Sequence, residues 1–104
     1  MAQFDVYENP NPDTQKTVPY LLDVQADLLA GLATRVVLPL VPVAIMGKAA
    51  RHLNPVLTID RTKVVMSTAE LAGVPVKILG RKVTSLIDSS TEIIAALDFL
   101  FTGY

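Results

Sequence analysis

Hydrophobic and polar residues alternate from the start of the chain. In Gln3–Tyr7 (QFDVY), Phe4 and Val6 are interleaved with polar positions, the period-two signature of a half-buried first strand. Glu8–Thr14 (ENPNPDT) breaks the pattern with two Asn-Pro pairs. Residues before proline are pushed out of the helical region, so an exposed loop is expected. Val18–Leu29 (VPYLLDVQADLL) is strand-like in its first half and ends on the pair Leu28 and Leu29, just before Gly31. Arg35–Ile45 is β-branched and apolar, but Pro39 and Pro42 supply no amide proton, which predicts an edge or bulged strand rather than a central one. VLTID and VVMST flank a polar stretch around Asp60–Lys63 and predict a hairpin. Gly73–Gly80 (GVPVKILG) reads as a further strand bracketed by glycines. No internal repeat, low-complexity tract or linker interrupts the series.

The period changes near the end. Ser89 followed by Glu92 matches a capping box, which starts a helix near Ser90. At about 100° per residue Ile93, Ile94, Leu97, Leu100 and Phe101 form the inward arc, and Ala95, Asp98, Phe99 and Thr102 the outward one. Gly103 stands where a left-handed helix stop is wanted. Many short strands followed by one helix predict a small closed or sandwich-like β structure with the helix packed on it.

Composition narrows the class. A length of 104 residues fits one domain, residues 1–104, and hydrophobic residues make up 51% of it. With a mean hydropathy of +0.44, the apolar excess points to burial in a homo-oligomer. The longest apolar run, Val36–Met46, holds 11 residues and two prolines, too few for a spanning helix of roughly 20. The amino-terminal MAQFDVYENP lacks the basic and apolar regions of a signal peptide, so a cytoplasmic protein is expected. Without cysteine there is no disulfide or thiolate chemistry. A net charge of −1 gives little drive for direct nucleic-acid binding.

The candidate chemistry is sparse. His52 is the only histidine and lacks metal-ligand spacing to partners, so it reads as a loop or short-helix residue with no metal. Asp23 and Asp27 would converge as paired carboxylates only on a helix; on a strand they are surface acids. Ser85, Ser89 and Ser90 are explained by helix capping, and the scattered glycines form no phosphate loop for a cofactor. No catalytic residue emerges. The outward residues Asp98, Phe99 and Thr102, followed by Gly103 and Tyr104, include types that anchor interfaces.

Several segments, in order over essentially the whole chain, resemble the CcdB family: QFDVY, DVQADLL (Asp23–Leu29), RVVLPL (Arg35–Leu40), LNPVLTI (Leu53–Ile59), GVPVKILG and IIAALDFLFTG (Ile93–Gly103). The family comprises toxins of plasmid-addiction modules that poison DNA gyrase. The resemblance implies a mainly β, SH3-like barrel of short antiparallel strands with a C-terminal α-helix, assembled as a twofold homodimer. It implies a non-enzymatic wedge that inserts its helix ends into the dimerisation region of the gyrase A subunit and traps the cleaved complex. Carried over position by position, the gyrase contact falls on Leu28, Leu29, Asp98, Thr102, Gly103 and Tyr104. The family's best-known member ends Trp-Gly-Ile, so Thr102 replaces a contact tryptophan, and Asp98 replaces an asparagine. The second implied partner is an antitoxin whose disordered tail folds on the toxin, in part at Glu8, Asn9, Pro10, Asn11 and Pro12. Operator DNA is reached only through that antitoxin.

Two rival readings remain open at this level. An mRNA-cleaving toxin shares the barrel, but it needs a basic groove and acid–base groups that one histidine and a negative net charge do not offer. A gyrase-inactive relic acting as an antitoxin-binding co-repressor would follow from the changes at Asp98 and Thr102.

Overall fold

The structure, a computed structural model, describes residues 1–47, 49–50 and 52–103. Seven strands, β1 (Asp5–Glu8), β2 (Tyr20–Asp23), β3 (Thr34–Pro42), β4 (Val56–Ile59), β5 (Thr62–Met66), β6 (Ala72–Pro75) and β7 (Lys82–Ser85), form one antiparallel sheet. A helical turn α1 (Val43–Met46) follows β3, and α2 (Ser90–Thr102) ends the chain. The sheet runs β4-β5-β3-β2-β1-β7, with β6 pairing β3 off this path, and curls into a half-barrel. The mainly β architecture with a C-terminal helix is thus the one expected.

β3 departs from its sequence reading. It is the longest strand and lies inside the sheet, paired with β2 along Val37–Leu40. Its other edge is shared by two shorter strands, β6 opposite Thr34–Val37 and β5 opposite Leu40–Pro42. Pro39 sits where one partner gives way to the other. Its carbonyl accepts from Ser67 N–H at 2.9 Å, so its proton-less nitrogen faces the same gap and deprives no ladder partner. The strand stops at Pro42 and Val43–Met46 turn helical, so the segment does not remain extended to Ile45. Both faces of β3 are covered. Leu38 and Leu40 join Val6, Leu22, Met66 and Ile93 in the core cluster, while Val37 and Val41 are buried opposite. Burial on both sides explains the nearly unbroken apolar run.

The β4–β5 hairpin is closed by Asp60 and Arg61, with φ of 47° and 67°, the two positive values of a type I′ turn. Gly73–Gly80 is extended only over β6, and Val76–Ile78 turn into a single 3-10 helix. β7, which no alternation announced, pairs with β1 beside it. Gly80 makes the approach possible: its N–H donates to the Glu8 carbonyl at 3.0 Å, and a Cβ there would lie 2.6 Å from that oxygen.

α2 begins at Ser90 and ends at Gly103, whose φ of 78° and N–H···O bond to Phe99 at 2.9 Å make the expected left-handed stop. The capping box does not form. A 3-10 turn over Ile87–Ser89 runs straight into the helix, and the Ser89 side chain caps nothing. The buried arc is centred on Ile93 and Ala96 rather than between Ile94 and Leu97. That rotation leaves Ile94 and Phe101 on the outer flank, and Phe101 is 68% exposed. On the other flank half-buried Phe99 meets the exposed His52 ring, centroids 6.0 Å apart.

Candidate functional site

Two segments distant in sequence converge. After β2 the chain makes a 3-10 turn over Asp27–Leu29 that buries no side chain of its own. Leu28 is 94% exposed and Leu29 48%. The carboxy-terminal end of α2 lies close by, and Leu29, Leu32, Val36, Leu71, Leu97 and Phe101 line one groove of about 460 Å³. Apolar side chains thus stand open to water on both banks, an arrangement that marks interaction surfaces.

Asp98, Thr102 and Gly103 are exposed at the helix end. Thr102 Oγ1 donates to the Asp98 carbonyl at 2.6 Å, so the hydroxyl is turned onto its own helix and the methyl outward. Tyr104 lies outside the described residues. Of the contact residues expected from sequence, only Leu29 lines the groove itself. Leu32, Leu97 and Phe101 were not in that set. Leu32 carries a readable signal in its i, i+3 spacing from Leu29, whereas the most apolar arc of the helix places Phe101 inward and so hides it.

Beneath the turn is a buried ion pair. Asp23, expected as a surface acid, is fully buried, as is Arg35. Arg35 Nε donates to Asp23 Oδ2 at 2.8 Å, and Nη2 lies 2.6 Å from the same oxygen. Arg35 Nη1 has no hydrogen-bond partner among the described residues. Burial pushes the Asp23 carboxyl above the usual aspartate range, outweighing the hydrogen bonds from Arg35 and from the Gln25 amide. The same cluster holds Tyr7, whose phenol is raised to about 12, first by burial and then by the charge of Asp5. Asp27 is separate and exposed, accepting from Gln3 N–H at 2.7 Å. Asp23 and Asp27 therefore form no acid–base pair.

The Asn-Pro loop divides into two roles. Asn9 is buried: its Nδ2 donates to Val18 O at 2.8 Å and Thr14 Oγ1 at 3.0 Å, and its Oδ1 accepts from Asn11 N–H at 3.1 Å. Glu8 is half-buried and pairs with Arg81 at 2.9 Å. Pro10, Asn11 and Pro12 are exposed, flanking a cavity of about 620 Å³ shared with Val18, Leu21 and Ile78. No His, Cys, Asp and Glu cluster fit for a metal ion occurs among the described residues. No described helix is long and apolar enough to cross a membrane.

The fold is thus a curled β half-barrel whose terminal helix shares an exposed apolar groove with a neighbouring turn. The family model of the CcdB protein matches residues 3–103, and the chain belongs to the CcdB family. It is a toxin-antitoxin toxin of the gyrase-poison family, whose action is not itself enzymatic.

Proposed function

We propose that this chain binds the DNA gyrase A subunit and traps the cleaved gyrase–DNA complex. The contact comprises Leu28, Leu29, Asp98, Thr102, Gly103 and Tyr104. The observation that carries this reading is the groove in which Leu29 meets Leu97 and Phe101, beside the exposed helix end. A surface of this kind acts by differential binding: it holds one conformation of the enzyme and shifts the population there, blocking resealing without toxin chemistry. The working form is a cytoplasmic homodimer, which would cover exposed apolar side chains such as Ile45, Val56 and Ile87. A cognate antitoxin with a disordered tail neutralises it at the Glu8–Pro12 loop, where Pro10, Asn11 and Pro12 offer the exposed contact and Asn9 holds the loop in shape.

Incubation with gyrase, DNA and ATP is expected to give protein-linked double-strand breaks that vanish when Gly103 and Tyr104 are deleted. Breaks indifferent to that deletion would remove the site assignment. RNA cleavage in a parallel assay would change the class of toxin, and antitoxin binding without breaks would mark the chain as a relic.

A further inference from the structure

We infer that Gln25 is a positioning residue for the gyrase contact, the link through which the buried Asp23–Arg35 pair holds the Leu28–Leu29 turn in place; this rests on the contact proposed above. The turn has little of its own to fix it. It is three residues long, buries no side chain, and is closed by single backbone bonds, Leu29 N–H to Ala26 O at 2.9 Å and Ala30 N–H to Asp27 O at 3.0 Å. Such short, solvated turns open at little free-energy cost.

Gln3 N–H holds the turn's first residue through Asp27 Oδ1 at 2.7 Å, and Gln25 supports its other end. It is buried, and each polar end of its side chain is used: Nε2 donates to the Leu29 carbonyl at 3.0 Å, and Oε1 accepts from Val36 N–H in β3 at 3.0 Å. The amide thereby clamps the end of the turn to the middle of the sheet. Its backbone is fixed in turn, because Gln25 N–H donates to Asp23 Oδ1 at 3.0 Å while Asp23 Oδ2 is held by Arg35. Each member from Arg35 to Gln25 is buried and bonded to the next, with Arg35 holding Asp23 and Asp23 holding the Gln25 amide, and this continuity stiffens the series although Arg35 Nη1 has no partner of its own among the described residues. Leu28 and Leu29 are presented already ordered, and a partner need not supply that ordering on binding.

Gln25→Met keeps the side-chain length and loses both bonds, so it separates positioning from packing. Amide exchange at Leu29, Ala30 and Leu32 should accelerate roughly tenfold, while the amides of Leu22, Leu38 and Ala96 keep their rates. Affinity for the dimerisation region of gyrase A should fall roughly tenfold, and the same substitution should cost nothing more in a Leu28→Ala/Leu29→Ala background. Unchanged exchange in the turn overturns the positioning role. An equal affinity loss in both backgrounds overturns it as well, because Gln25 then acts on the fold alone. If the unsubstituted chain does not bind gyrase A, the contact reading fails, and the exchange measurement by itself still decides whether Gln25 holds the turn. Should Gln25→Met not fold, Gln25→Glu keeps the acceptor for Val36 and loses the amide donor to Leu29, and is read by the same two measurements.

Discussion

Two buried polar side chains, Asp23 and Arg35, stand on a face of the sheet otherwise lined by Val37 and Val41. Taking one charge away strands the other, whereas taking both leaves an apolar patch that can pack. Asp23→Leu alone should destabilise the fold by about 3–5 kcal/mol, and Asp23→Leu with Arg35→Met should recover most of it in urea unfolding. Tyr7 makes a separate prediction. Its phenol titrates near 12 in the fold against an ordinary 10, so between those values the folded state binds more protons than the unfolded one. Stability is therefore intact below about pH 10 and is lost as pH climbs towards 12, by about 2–3 kcal/mol. Unfolding free energies measured across that range should show the fall, and Tyr7→Phe should flatten it. Neither residue could be placed from sequence: alternation marks which positions share a face, and it does not reveal that both faces of β2 and β3 are covered. Asp23 read as exposed because Leu22 already supplied the buried face.

At the scale of elements, the features that local chemistry decides were legible. The hairpin and the stop of α2 at Gly103 follow from turn and cap residues within a few positions, whereas its start falls at the expected Ser90 without the expected capping box. Features decided by distant partners were not. Pro39 reads as an edge marker because the hand-over from β6 to β5 is invisible along the chain, and β7 exists because β1 has a free edge to offer, not because Lys82–Ser85 alternates strongly. Phe101 was turned inward by choosing the most apolar arc, while the barrel selected the arc holding the small Ala96, against which the sheet packs closely. The hairpin also yields a prediction. Asp60 and Arg61 both adopt positive φ without being glycine, and such positions are strained for side chains with a Cβ. Arg61→Gly should stabilise the fold by about 0.5–1 kcal/mol, seen as a higher urea midpoint at unchanged m-value.

For the whole molecule, the question is what the helix end presents when the barrel is docked on a larger partner. The residues that the resemblance set at the contact, Leu28, Leu29, Asp98, Thr102 and Gly103, are all exposed, and their exposure was legible from the turn and the helix end. The groove that unites the two segments was not, because it depends on Leu32, Val36 and Phe101 meeting across the curl of the sheet. At its tip the surface is modest: Thr102 offers a methyl, its hydroxyl being bonded to Asp98 O, and among the described residues the exposed aromatic of the helix end is Phe101 on the flank. Aromatic side chains at the centre of an interface carry a disproportionate share of binding energy. Thr102→Trp should thus strengthen gyrase A binding by about tenfold or more and lower the concentration that yields cleaved complex. Because the position is exposed, the change in stability should stay within about 0.5 kcal/mol, and Thr102→Ala should leave binding nearly as it is. Binding isotherms and cleavage titrations on the three proteins decide the matter: a tryptophan that fails to alter gyrase binding, in a chain that still folds, would mean that Thr102 does not face the enzyme, and one that weakens it would mean that the surface opposite Thr102 has no room for an aromatic ring.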